Sequence, residues 1–326
     1  MSKLLDLISG YGRAMAIPLL GYPGVYLNNT TIKDNVHNAD VHVSTLQAIQ
    51  ENFAPDGLFC FMDLSVEAGA LGLEVLFPEM DSPTVVGHPV RTRADLERFE
   101  GIDILGDARL QSFVETMRRL AAMDGPLIGG YVIGPFSLTG LLMGASEAAL
   151  ATMTDPATVE AALRLATNCI ARYVQALEQA GADMVAILEP SGGLLSPHHF
   201  EHFCGRYVRE LIAGMRSASI LHICGQTTRH LEAMAATGAQ GLSLDAAVDF
   251  PAAAQRISQA VALIGNLDTV TVMNQMNARK VYGAASDLIA AMAPFPNFIL
   301  SSACDLPLDT PHENIDAMLQ AARDAK

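Results

Sequence analysis

Basic residues are scarce in this sequence. Lys and Arg total 20 against 35 Asp and Glu, a formal net charge of −15 over 326 residues. A surface of that sign repels nucleic-acid phosphates and anionic lipid, so neither is expected as a partner. Charge of any sign is low, 17% of the chain against 50% hydrophobic residues. That balance excludes an intrinsically disordered chain, a collagen-like repeat and a coiled coil. Cysteine is sparse and odd in number, five in all, which does not suit a disulfide framework. No low-complexity tract or Ser/Gly linker divides the chain, and no GxGxxG follows any apolar run. A dinucleotide-binding sheet therefore lacks its fingerprint.

One hydrophobic run raises the question of a membrane. Positions 125–146 carry no formal charge and are long enough to span a bilayer. The run reads GPLIGGYVIGPFSLTGLLMGAS, and its Gly and Pro content fits a strand, a Gly-Pro turn and a short helix better than one lipid-exposed helix. The N-terminal MSKLLDLISGYGRAM places Asp6 and Arg13 where a signal peptide needs an unbroken apolar core. A soluble cytoplasmic protein with no membrane segment is expected.

What the sequence does hold is a recurring unit: a short apolar run, a polar or Gly turn, then a longer helical pattern. The expected strands are 16–20, 57–62, 127–133, 183–188, 220–223, 241–244, 261–265 and 298–302. Asp155-Pro156 and Ser196-Pro197 each set a capping side chain before Pro at the first helical position. Thr310-Pro311-His312-Glu313 reads as a capping box, and 159–180 as an amphipathic helix ending at Gly181. Alternating strands and helices imply parallel pairing, and eight such units predict a single (β/α)8 TIM barrel of the α/β class over 1–326. An open doubly wound sheet is the runner-up.

Active sites in that fold collect at the C-terminal ends of the strands. The expected rim carries Asp63, Gly134, Phe136, Ser137, Glu189, His222, Cys224, Asp245, Asn266, Asp268 and Cys304. Along an extended chain His222 and Cys224 face one way while Ile223 faces the other. With Cys304 from the last strand, two thiolates and one imidazole make three soft ligands, the donor set of a catalytic zinc with an open fourth position. The blander reading treats each Cys as a small hydrophobe; convergence on one rim brings the metal reading level with it. His198 and His202, four apart, could also share a metal, but read first as the opening turns of a capped surface helix. His312 reads as solvated, and Cys60, Cys169 and Cys204 as packing. Asp63 and Glu189 are the candidate catalytic carboxylates, Asp63 with helix capping as its competing role and Glu189 as a group beside the zinc.

FMDLSVEAGALG (61–72), YVIGPFSLTGLLMG (131–144), ILEPSGGLLSP (187–197), LHICGQTTRHLEAMAATGAQGLSLD (221–245), IGNLDT (264–269) and LSSACDLPLDTPHENIDAM (300–318) together resemble the uroporphyrinogen decarboxylase superfamily, in particular its zinc-dependent corrinoid methyltransferase branch. The resemblance puts the zinc ligands on His222, Cys224 and Cys304. It implies methyl transfer from a methylcobamide on a separate corrinoid protein to a zinc-activated thiol such as coenzyme M. Asp245, Asn266, Asp268, Gly134, Phe136 and Ser137 would then position acceptor or cofactor. The tetrapyrrole decarboxylases of the same superfamily are the alternative. Their polycarboxylate substrate needs an Arg-rich N-terminal segment, whereas Arg13 is followed only by Lys33 before Arg91; buried carboxylates would be left unpaired. A corrinoid-binding module without turnover and a closed structural zinc site are the readings from other classes. A small-molecule methyl acceptor is implied, its identity open, and so is the choice between monomer and homo-oligomer.

Overall fold

The computed structural model describes residues 3–325, so the outermost positions of the expected 1–326 domain lie outside it. Eight parallel strands form one sheet: β1 (Met15–Ala16), β2 (Gly57–Phe59), β3 (Leu127–Ile133), β4 (Met184–Leu188), β5 (Ala218–Ile223), β6 (Gly241–Leu244), β7 (Ala262–Leu267) and β8 (Phe298–Ser302). Their spatial order is β1-β8-β7-β6-β5-β4-β3-β2, so chain neighbours pair from β2 through to β8 and β8 meets β1. Asp56 bridges the remaining seam between β1 and β2. Its Oδ2 accepts from Ala16 N at 2.8 Å, its N donates to Ala16 O at 3.1 Å, and Arg13 pairs with its carboxylate at 2.6 Å. Helices lie outside, as the expected (β/α)8 barrel requires.

The strand runs are nearly pure hydrocarbon because both faces are buried. Ile17, Tyr131, Ala186, Ile220, Ile264 and Ile299 fill the interior, while Val132, Ile187, Leu221, Leu242 and Leu263 pack under the helices. The N-terminal helix Lys3–Ser9 plugs the bottom through Leu4. Two expected strands are shorter than read. After Ala16 the chain still pairs with β8, but Leu19 N bonds to Ser302 Oγ and Ser301 Oγ to Ile17 O. Side-chain hydroxyls there take the place of ladder backbone groups, Ser302 as acceptor and Ser301 as donor. In the other, Phe61 N is taken by His42 Nε2 at 2.9 Å, so β2 ends early.

The uncharged 125–146 stretch is β3 followed by a turn and helix α1 (Pro135–Met143), as expected. Among the described residues no single helix is long and apolar enough to cross a membrane. Asp155 and Ser196 cap their helices as expected, accepting from Thr158 N and His199 N. The capping box at Thr310 does not form. Pro311 occupies the N-cap of the last helix, His312–Asp324, and Thr310 Oγ1 has no partner among the described residues. His312 is not solvated either: its Nε2 meets Pro23 O at 3.1 Å and its ring packs on Phe53. The chain also adds an antiparallel hairpin, Val75–Leu76 with Thr84–Val85, that the strand pattern did not announce.

A candidate metal centre at the barrel mouth

His222 is the penultimate residue of β5 and points into the barrel beside Ile220, with Leu221 and Ile223 turned outward. Its Nδ1 lies 2.9 Å from Ser243 Oγ on β6. That bond fixes the ring and leaves Nε2 as the ligating nitrogen. Nε2 is 3.1 Å from Cys224 Sγ and 3.7 Å from Cys304 Sγ, and the two sulfurs are 3.8 Å apart. A tetrahedral zinc with ordinary bond lengths spaces two thiolates by about 3.8 Å and a nitrogen–sulfur pair by about 3.6 Å. Two edges of the triangle match one face of such a site, and the His222–Cys224 edge is about 0.5 Å shorter than the ideal. A disulfide needs sulfurs at about 2 Å, and both cysteines are free. Among the described residues no fourth His, Cys, Asp or Glu joins the cluster.

The two thiols differ. Cys224 sits below the ordinary thiol range because Cys304 donates a hydrogen bond to it, which outweighs its burial. Cys304 is pushed up to about 12 by that same bond and then by burial. A cation bound there would displace the thiol protons. Two neighbouring loops are pinned. Asp245 Oδ2 accepts from Gly225 N at 2.9 Å, holding the turn after Cys224. Ala303 N donates to Leu267 O and Leu306 N to Leu19 O, holding Cys304 between β7 and β1.

Residues 24–325 match the family described as uroporphyrinogen decarboxylase (URO-D). The chain belongs to the uroporphyrinogen decarboxylase family. Its curated relatives carry two kinds of name. Methylcobamide:CoM methyltransferase MtbA of Methanosarcina acetivorans is 28% identical over 274 residues, 81% of this chain and 78% of its own. A uroporphyrinogen decarboxylase of Pseudoalteromonas atlantica is 26% identical over 290 residues, 85% of this chain and 80% of its own. Among solved structures, a methyltransferase from Methanosarcina mazei shares the fold with a TM-score of 0.89 at 22% identity, over 99% of this chain and 98% of that one.

In this family member the other expected site residues serve several roles. Asp63 is buried and paired with Arg109, and it also accepts from Ser65 N and Oγ at 2.8 and 2.6 Å. Arg109 completes the knot by donating to Ser65 O at 2.7 Å. Sequence reading missed Arg109; its one signal was a cation inside the apolar stripe of Leu110, Phe113, Val114 and Met117. Glu189 is fully buried, but its carboxylate does not join the ligand cluster. It accepts from Phe136 N at 2.9 Å, from Ser137 N at 2.6 Å and from Ser137 Oγ, so it caps α1. Its link to β5 is through the backbone, Glu189 N to His222 O at 2.9 Å. Burial pushes its carboxyl up to about 7 against the pull of those donors. Gly134 permits this approach: a Cβ there would stand 2.2 Å from Glu189 Oε2. Phe136 is core, and Ser137 Oγ also accepts from Ser191 N.

Asn266 donates to Asp245 O and Val248 O, and Asp268 accepts from Val270 N and Thr271 N. Both shape rim loops. His202 faces Glu160 on the barrel exterior at 3.6 Å, in keeping with a surface helix. Arg229 on the same rim donates to Gly193 O and Leu195 O. Asp305, next to Cys304, has its carboxyl raised well above the usual range by burial and by Cys304.

Proposed function

We propose that this protein is a corrinoid-dependent methyltransferase acting on a small thiol. The observation that carries the reading is the triangle of His222 Nε2, Cys224 Sγ and Cys304 Sγ, with edges of 3.1, 3.7 and 3.8 Å. A zinc ion bound there would supply Lewis-acid charge that favours the thiolate form of an acceptor thiol near neutral pH. Ser243 holds the His222 ring in the ligating orientation, and Asp245 and the Ala303 and Leu306 amides hold the two cysteine loops. The acceptor sulfur takes the methyl carbon of a methylcobamide brought over the rim by a separate corrinoid protein. The cobalt–carbon bond breaks and both of its electrons stay on cobalt, leaving cob(I)amide on the partner. The relatives' name gives CoM as their acceptor; for this chain the acceptor is open between that and another thiol.

The decarboxylase reading draws on the names of other relatives, and the cavity beside Cys304 disfavours it. Its lining contains Asp63, Asp81 and Asp305 and no Lys, Arg or His, so a polycarboxylate would find no counter-charge. The test is zinc content together with methyl transfer from methylcobalamin to a panel of thiols. We expect about one zinc per chain, and at least a tenfold loss of transfer in Cys304→Ser, in line with losing a metal ligand. A zinc-free active protein, or Cys304→Ser at the wild-type rate, refutes the proposal. Release of CO2 from uroporphyrinogen without methyl transfer hands the assignment to the decarboxylase reading.

A further inference from the structure

Cys304 forms part of the wall of a cavity of about 460 Å³ at the mouth of the barrel. Of the ligand triangle, Cys304 is the member that lines it. Its apolar surface includes Met62 and Met80, and its polar surface includes Asp63, Asp81 and Asp305. No Lys, Arg or His lines it. Cations adjoining the lining residues are already paired. Arg109 is tied to Asp63 and Ser65 O, and Lys33, next to the lining residue Ile32, pairs with Glu79 at 2.7 Å. Asp305 Oδ2 is buried with no hydrogen-bond partner among the described residues, although the carboxyl also takes backbone hydrogen bonds from Gly21 and Leu306. A buried oxygen of that kind is ordinarily satisfied by water or ligand.

On the footing of the methyltransferase reading, we infer that the acceptor thiol has a neutral or cationic tail and not a sulfonate or carboxylate. An anionic tail entering this cavity would lose its hydration and gain no charge-assisted hydrogen bond in return. Asp81 would add like-charge repulsion. An ammonium or hydroxyl tail meets the opposite situation: it can donate to Asp305 Oδ2 and faces carboxyls rather than cations. The thiol end then points towards Cys304, and the tail lies among Asp81, Asp305 and the methionines. The selection depends on the wall and not on the metal, so it holds for the metal-free protein as well.

The probes are three methyl thioethers of equal length, 2-(methylthio)ethylamine, 2-(methylthio)ethanol and 2-(methylthio)ethanesulfonate. Their binding to the metal-free protein is measured by calorimetry. The corresponding thiols are compared as acceptors in the zinc-loaded enzyme, with KM and kcat separated. We expect the amine to bind at least about tenfold more tightly than the sulfonate, the size of effect one nearby unit charge produces in a partly buried site, with the alcohol between them. Asp81→Lys, with its fold checked by circular dichroism, should narrow or reverse that order by about the same factor, chiefly through KM. Equal or tighter binding of the sulfonate overturns the inference. So does an order unmoved by Asp81→Lys, or the absence of binding by all three. Preferred methylation of 2-mercaptoethanesulfonate overturns it while leaving the methyltransferase reading standing. The expected binding order without methyl transfer to any thiol supports the tail selectivity and removes the methyltransferase reading instead.

Discussion

Glu67 offers a sharp test of how this barrel treats buried charge. It lies on a short helix, Val66–Ala70, and is 1% exposed. Oε1 accepts from Ile133 N at 2.9 Å, and Oε2 is buried with no partner among the described residues. Burial pushes the carboxyl up to about 8, only partly opposed by that amide. The sign follows from proton linkage. Between the ordinary value of 4.5 and about 8 the folded protein holds a proton that the unfolded chain has released. Stability contributed by the neutral acid is therefore full below 4.5 and is lost as pH rises through 8. Over that window the wild type should lose about 1.4 kcal/mol per pH unit relative to a protein without the group, or roughly 3 kcal/mol by pH 7. Glu67→Gln is the comparison. Its amide oxygen can keep the Ile133 bond, and its NH2 takes the unpartnered position. Urea unfolding of both proteins at pH 4.5, 7 and 8.5 should show curves that coincide at the acid end, with the variant more stable by about 3 kcal/mol at pH 7. Parallel curves across the range would refute the reasoning, because they would mean Glu67 is ionised in the fold at no cost.

Three further outcomes are expected. Arg109→Met leaves Asp63 buried without its cation and should destabilise by about 3–5 kcal/mol, whereas the double variant Arg109→Met/Asp63→Asn recovers part of the loss in denaturant titration. Ser243→Ala removes the bond that orients His222 and should weaken zinc binding by about 10–100-fold in chelator competition, with little change in thermal stability. Gly134→Ala drives a methyl group onto the Glu189 carboxylate, 2.2 Å from Oε2, and should cost about 1–3 kcal/mol of stability, as overpacking does.

Much of the barrel was legible because its signals are local. Apolar runs mark the strands, and Asp155 and Ser196 cap as their types predict. His222 and Cys224 were assigned to one face by the period of a strand, and the structure brings them to 3.1 Å. Departures came where a distant group intervened. β2 stops where His42 takes the Phe61 amide, and the ladder beside β1 gives way to bonds with Ser301 and Ser302. Thr310 failed as a cap because Pro311, with no N–H and a fixed φ, holds the N-cap itself. The acidic residues of the rim were read by type alone. Asp63 has its counter-ion 46 positions away, and the Glu189 carboxylate acts on amides 52 and 53 positions away. No local pattern encodes such pairings.

The sequence by itself determined the eightfold alternation of strand and helix, the buried character of the barrel strands and the sign of the surface. These are properties of composition and of periods two and 3.6 along the chain. Only the tertiary structure decided which polar residues meet. Closing the barrel sets β8 beside β7 and β1, and so carries Cys304 across 80 residues to within 3.8 Å of Cys224. The same closure ties Asp63 to Arg109, turns Glu189 onto the end of α1 and leaves the cavity beside Cys304 lined by carboxyls without a cation. Hydrogen bonds and ion pairs act over about 3–4 Å in space, whatever the separation along the chain, and the fold alone sets those distances.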